Sequence, residues 1–229
     1  MSLILGIETA TKTCSIALTK GVQLLAVEEI GGAFSHAENI TVFIEKVMQQ
    51  SGKKLAEVDA VAISRGPGSY TGLRIGVSTA KGLCFALNKP LIAVDTLQAM
   101  ALRMAKQITD KNLLFCPMID ARRMEVYTAI YNFKNELVES ISAKIMDENS
   151  FSKFLANQKI IFFGDGAEKC RILFAENKNA IFNKSVLPSA IEINELALKK
   201  LNNKQFEDVA YFEPFYLKDF IGTVAKKLI

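Results

Sequence analysis

One pattern occurs twice in this chain and limits its fold more than any other. Near the N-terminus the apolar run Leu3-Ile4-Leu5-Gly6-Ile7 leads into the small polar stretch Glu8-Thr9-Ala10-Thr11-Lys12, and then into residues 14–19, where Ile16 and Leu18 alternate onto one face. That pattern predicts a strand, a turn and a second strand. Residues 115–119, the polar Asp120-Ala121-Arg122-Arg123 and residues 126–131 repeat it, so that Ile7-Glu8 and Ile119-Asp120 hold matching places. Two related units are expected, each opening on an antiparallel hairpin.

A third strand is expected at 24–30, after Gly21, and Gly31-Gly32 ends it. Ser35 is placed to cap a helix in which Ala37, Ile40, Ile44, Val47 and Met48 recur at helical spacing until Gly52. A buried strand at 58–64, a helix at 70–87, a strand at 90–94 and a helix from 96 to about 109 complete the first unit. After the second hairpin come a strand around 139–145, a helix at 149–155, a strand at 159–163 and a helix opening at Gly164-Asp165-Gly166-Ala167. A helix at 191–201 and a closing Pro214-Phe215-Tyr216-Leu217-Lys218 segment follow, so the second half reads as a truncated copy. The expected lobes are 1–109 and 110–229.

A chain of 229 residues, 50% apolar and 23% charged, suits one large domain or two small ones and excludes disordered or collagen-like classes. Charges such as Glu8, Lys12, Lys81 and Asp95 interrupt every apolar run before it could span a membrane. The chain starts in a strand rather than a basic, apolar leader, so a soluble cytoplasmic protein without a membrane partner is expected. A net charge of +4, with basic pairs at Arg122-Arg123, Lys199-Lys200 and Lys226-Lys227, neither requires nor forbids a nucleic acid. Cys14, Cys84, Cys116 and Cys170 are too widely separated for a paired zinc motif and are expected to be core thiols. His36 is the only histidine, which excludes a His-paired metal site and leaves nucleophilic hydrolase chemistry almost no route. At a helix start, His36 is read as a cap-region or surface group.

The segment Arg65-Gly66-Pro67-Gly68-Ser69-Tyr70-Thr71-Gly72-Leu73-Arg74-Ile75-Gly76 lies between a buried strand and a helix. A glycine turn before a helix N-terminus can bind an anion, yet its spacing fits neither the dinucleotide fingerprint nor the P-loop. Gly72, Gly76 and Ala80 also fall at four-residue steps, a stripe that lets another backbone approach, with Leu73, Val77, Cys84 and Leu87 on the opposite, core-facing row. The second packing partner is either the first helix or another protein. Glu8 and Thr9 could face a magnesium-bound phosphate or simply cap a turn, and Asp120 is their counterpart in the second copy. Arg122 and Arg123 put long side chains where a phosphate loop would want glycine. Gly164 and Gly166 fit either a turn beneath an adenine ring or a plain turn before a helix.

Together, residues 4–11, residues 66–76, Ala80-Lys81-Gly82-Leu83, Ile119-Asp120-Ala121-Arg122 and Pro214-Phe215-Tyr216-Leu217-Lys218 make the chain resemble the TsaB (YeaZ) family over nearly its whole length. The resemblance implies a two-lobed α/β fold of the acetate and sugar kinase, heat-shock chaperone and actin superfamily (actin-like, or ASKHA), a duplicated ribonuclease H-like architecture. It implies a part in making threonylcarbamoyladenosine next to the anticodon of tRNA, in support of the related catalytic TsaD (Kae1) family, once called glycoproteases. Where that relative has two metal-binding histidines, this sequence has Thr96 and Met100, which are unsuited to hold the ion. The family usually carries Asp at the position of Glu8.

The resemblance therefore implies a non-catalytic scaffold, a pseudoenzyme with no catalytic residue and no metal. Its partners would be a TsaD-type subunit, a TsaE-type ATPase subunit and, through the complex, tRNA, with a homodimer formed when it is alone. The expected interface lies on helices 35–51 and 70–87 and comprises His36, Ile40, Phe43, Thr71, Gly72, Arg74, Ile75, Gly76, Thr79 and Ala80. Glu8, Thr9, Asp120, Gly164 and Gly166 would form a vestigial nucleotide site. No cofactor is required, ATP belonging to the alternative of a small ATP-binding phosphotransferase of the same fold.

Overall fold

The computed structural model describes residues 1–32, 36–183 and 186–218. Ser35, the expected helix cap, falls outside them. Two five-stranded sheets are built to one plan. In the first, β1 (Leu3–Glu8), β2 (Cys14–Lys20), β3 (Gln23–Ile30), β4 (Ala60–Gly66) and β5 (Leu91–Asp95) lie in the order β3-β2-β1-β4-β5. The hairpin strands pair antiparallel, whereas β1–β4 and β4–β5 are parallel and need the crossover helices α1 (His36–Ser51) and α2 (Tyr70–Leu87). After α3 (Thr96–Ala105), the strands β6 (Leu114–Asp120), β7 (Glu125–Tyr131), β8 (Leu137–Ile145), β9 (Ile160–Phe163) and β10 (Ala180–Asn183) form the second sheet in the matching order β10-β9-β6-β7-β8.

β1 is buried on both faces, which explains its unbroken apolar run. Leu3, Leu5 and Ile7 point to one side, where α1 and α2 contribute Ile40, Ile44, Val47, Val77 and Ala80. Ile4 points to the other, against Ile193, Leu196 and Ala197 of α5 (Ala190–Asn202). α5 thus covers the first sheet although it lies in the second half of the sequence. Asn194 fixes its seat, donating from Nδ2 to the carbonyls of Ile4 (3.1 Å) and Ala17 (3.0 Å). A Cβ on Gly6 would fall 2.2 Å from Asn194 Oδ1, so only glycine admits this approach. α3 lies between the sheets and gives Leu97, Met100, Ala101 and Met104 to the core that holds Phe115, Ile119 and Phe163.

The second unit also differs from the truncated copy that was expected. All five strands are present, including the four-residue β10, whose pattern is too short to stand out, and the shortening is confined to the helices. The helix expected at 149–155 shrinks to α4 (Ser152–Leu155), and the one expected from Gly164 is a 3-10 segment, Glu168–Phe174. Aromatic bulk replaces helical length there. Phe162 stacks on Phe174 and Phe182, each at 5.2 Å between centroids, and Phe151 joins them at 5.8 Å.

All four cysteines are buried and free, as the sequence implied. Burial pushes the Cys14 and Cys84 thiols up to about 11 and Cys116 to about 12. At pH 8 a thiol reagent will therefore label Cys14, Cys84 and Cys116 in the native chain about a hundredfold or more slowly than in the unfolded one. Rapid labelling of even one of these three in the native state would contradict this packing. No helix among the described residues is long and apolar enough to cross a membrane.

Candidate functional site: the cleft between the sheets

The turn after β1 docks onto the N-terminus of α2. Ser69 caps that helix by accepting from the Gly72 N–H, and its own N–H donates to the Ala10 carbonyl at 2.6 Å. Thr9 Oγ1 donates to the Gly72 carbonyl at 2.8 Å. The backbones touch so closely that a Cβ on Gly68 would lie 2.1 Å from Ala10 O, on Gly72 2.2 Å from Thr9 O, and on Gly76 2.2 Å from Thr9 Oγ1. The partner admitted by the small stripe is therefore the chain's own first turn. His36 completes the junction. It is buried, not a surface group, and its Nε2 donates to the Thr11 carbonyl at 2.7 Å, an arrangement that requires the proton on Nε2. Burial lowers its pKa.

The ten expected interface residues consequently divide. His36, Ile40, Phe43, Gly72, Gly76 and Ala80 are buried within the chain, Ile75 and Thr79 are half-buried, and Thr71 and Arg74 are exposed. The outer face of α2 continues through Ser78 and Gly82 to Phe85, which is 86% exposed.

Glu8 lies beneath the same turn with no exposed surface. Its Oε1 accepts from the Ala10 N–H at 2.5 Å, and Oε2 has no partner among the described residues. Desolvation, against the lowering effect of the Ala10 and Ser64 hydrogen bonds, pushes its pKa up to about 7. Asp120 occupies the matching place in the second sheet but is exposed. It accepts from the Arg122 N–H, pairs with Lys169, and donates its own N–H to Asp165 Oδ1 at 3.0 Å. Gly164, with φ of +98°, and Gly166 sit against the end of β6, where a Cβ would meet Met118 O at 2.3 Å and Ile119 C at 2.9 Å. Close packing of two strand ends accounts for both glycines.

Between the sheets lies a cleft of about 440 Å³. Ala10, Thr11, Lys12 and residues 67–71 form one wall, and residues 119–122, Tyr127 and Asp165 form the other. Of the five nucleotide-site candidates only Asp120 lines it. The C-terminal segment straps its rim. Phe215 N donates to Arg65 O at 2.7 Å, Tyr216 packs on Tyr70 at 5.1 Å and receives a hydrogen bond from Arg74, and Lys218 crosses to Glu125 of β7. Lys81 secures the strap from α2 through the carbonyls of Ala210 and Phe212, both at 3.0 Å. Tyr70, Tyr127, Tyr216 and Lys218 were not singled out by sequence as cleft residues; the closing Pro-Phe-Tyr-Leu-Lys run was the one available signal.

Thr96 and Met100 are buried in the core, Met100 Cε lying 2.8 Å from where a Gly164 Cβ would stand. No group of three or more His, Cys, Asp or Glu among the described residues is arranged around a metal position.

Fold and cleft define the class: two copies of a five-stranded unit enclosing an interlobe cleft, the actin-like architecture. An Arthrobacter polyphosphate/ATP-glucomannokinase of 12% identity superposes with a TM-score of 0.51 over 89% of this chain and all of that one. The family model described as TsaD, tRNA N6-adenosine threonylcarbamoyltransferase, matches residues 31–220. A tRNA threonylcarbamoyladenosine biosynthesis protein TsaB from Haemophilus influenzae is 30% identical, across 94% of this chain and 93% of that protein. A Pseudomonas aeruginosa structure described as similar to peptidase YeaZ is 27% identical with a TM-score of 0.84, covering 95% of this chain and all of the other. The chain belongs to the TsaB (YeaZ) family.

Proposed function

We propose that the chain acts in tRNA threonylcarbamoyladenosine biosynthesis as a non-catalytic scaffold of a TsaD-type transferase. It docks on the catalytic subunit through the outer faces of α1 and α2, forms a composite surface with a TsaE-type ATPase subunit and tRNA, and pairs with a second copy of itself when alone. The observation that carries this reading is the sealing of Glu8. The carboxylate matching a phosphate-site acid is enclosed by the Ala10 turn and cannot reach the cleft, so the turn serves to hold α2 in place. The core positions of Thr96 and Met100 support the same reading. Such a subunit needs only stronger affinity for the competent conformation of its partner.

The test is threonylcarbamoyl transfer to tRNA by the TsaD-type and TsaE-type subunits of the same organism, with and without this chain. Product is expected only in its presence, and Asp120→Ala is expected to leave the rate intact. Arg74→Glu, on the exposed face of α2, should reduce co-purification with the catalytic subunit while leaving the melting temperature within a few degrees. Equal product without the chain would refute the role. A small ATP-dependent phosphotransferase would instead bind ATP by itself and lose activity on Asp120→Ala.

A further inference from the structure

The turn between β6 and β7 is built from the wrong residues for its backbone. Arg122 and Arg123 have φ of +71° and +48°, and among the described residues they are the only adjacent non-glycine pair with positive φ. Glycine or asparagine enters this region with little strain, whereas arginine gains nothing there for the backbone. Both side chains are exposed. Among the described residues neither guanidinium forms an ion pair, a side-chain hydrogen bond or a ring contact. The neighbouring cations differ: Lys169 is paired with Asp120 and Lys218 with Glu125, which also neutralises those two acids on the same rim. Asp165 accepts the Asp120 N–H. Two guanidiniums without a partner among the described residues are thus displayed on one strained turn, and its Arg122 lines the cleft together with Tyr70, Tyr127 and Tyr216. Backbone strain of this kind clusters at functional sites.

We propose that the Arg122-Arg123 turn contacts the phosphodiester backbone of RNA directly, so that this subunit holds part of the tRNA itself. The inference rests on the scaffold reading above for the identity of the RNA. Planar, permanently charged guanidiniums suit phosphate oxygens, and the turn's place outside the β6–β7 ladder lets both reach a strand crossing the cleft mouth.

The experiment uses the assembled complex and compares wild type, Arg122→Asn/Arg123→Gly and Arg122→Lys/Arg123→Lys. The Asn/Gly pair is expected to melt at or above the wild-type temperature, because it relieves the turn, and to co-purify normally. Its KM for tRNA is expected to rise about tenfold with kcat little changed, and the salt dependence of tRNA binding to become shallower by about one to two units of log–log slope. The Lys pair, which keeps the charge, should stay close to wild type. An unchanged KM and salt slope in the Asn/Gly variant would overturn the inference while leaving the scaffold role intact, and a lowered melting temperature would overturn it by making the arginines structural. Loss of isolated-chain ATP binding with tRNA KM unaffected would assign the turn to a free nucleotide and overturn it equally. A complex that makes product without this chain would refute the scaffold role, a separate failure.

Discussion

Gly76→Ala will lower the melting temperature by roughly 2–8 °C, although alanine is the better helix former by about 1 kcal/mol. The added methyl would fall 2.2 Å from Thr9 Oγ1 and 3.1 Å from Ile63 Cδ1, inside a junction that leaves no room to yield. Overpacking of this kind costs about 1–3 kcal/mol or more, enough to outweigh helix propensity. The sequence alone pointed the other way, since a small stripe read as an interface predicts that a bulky residue at position 76 weakens a complex and spares the fold. Thr9→Ala separates the cases. It removes the clashing oxygen, together with the Thr9 Oγ1 to Gly72 carbonyl bond worth about 1 kcal/mol, so the double variant will be more stable than the sum of its parts allows. Gly72→Ala provides the control, because its obstacle is the Thr9 main-chain oxygen and no side-chain change at position 9 removes it. A Gly76→Ala protein melting at or above wild type would show that the stripe is open.

The contrast shows which part of the fold is written locally. α2 was expected at residues 70–87 and occupies Tyr70–Leu87, because its Ser69 cap and its row of Leu73, Val77 and Cys84 are neighbours in sequence. The duplicated hairpins were legible for the same reason. What periodicity cannot state is the identity of the surface that fills a face. The Gly72-Gly76-Ala80 stripe announces a close backbone, yet the β1 turn that supplies it lies more than sixty residues away. The apolar face of α5 likewise announces burial, while its destination on the first sheet depends on Asn194 meeting Gly6. In the cleft, Asp120 was legible from the repeat, but its matched partner Glu8 was not legible as a buried acid, since an acid at a strand end reads equally well as exposed. The rim strap was hidden for a different reason. Its backbone has no regular period, and it is held by contacts such as Lys81 with the Ala210 and Phe212 carbonyls, which leave no pattern in composition.

Glu8→Gln will stabilise the protein relative to wild type as the pH rises, the difference growing by roughly 3 kcal/mol between about pH 4.5 and 7 and then levelling off. The folded chain holds the Glu8 proton up to about pH 7, against an ordinary 4.5 for the exposed residue of the unfolded chain. Below pH 4.5 both states are protonated and burial carries no ionic penalty. Between the two values the unfolded state releases its proton while the folded state keeps it, so unfolding is increasingly favoured. Above pH 7 the folded carboxylate is also ionised, and the whole penalty is present. Glutamine imitates the neutral acid, keeping an oxygen for the Ala10 N–H, and removes this dependence. Denaturant melts of both proteins from pH 4 to 9 isolate the effect, because every other titrating group is common to the pair. Parallel stability curves would mean that Glu8 reaches water, reopening a catalytic role for the first turn. Diverging curves would mean that this carboxylate is a structural strain carried beneath the helix that the scaffold reading assigns to the partner, so that the residue most like a catalytic acid in the sequence works only on the position of α2.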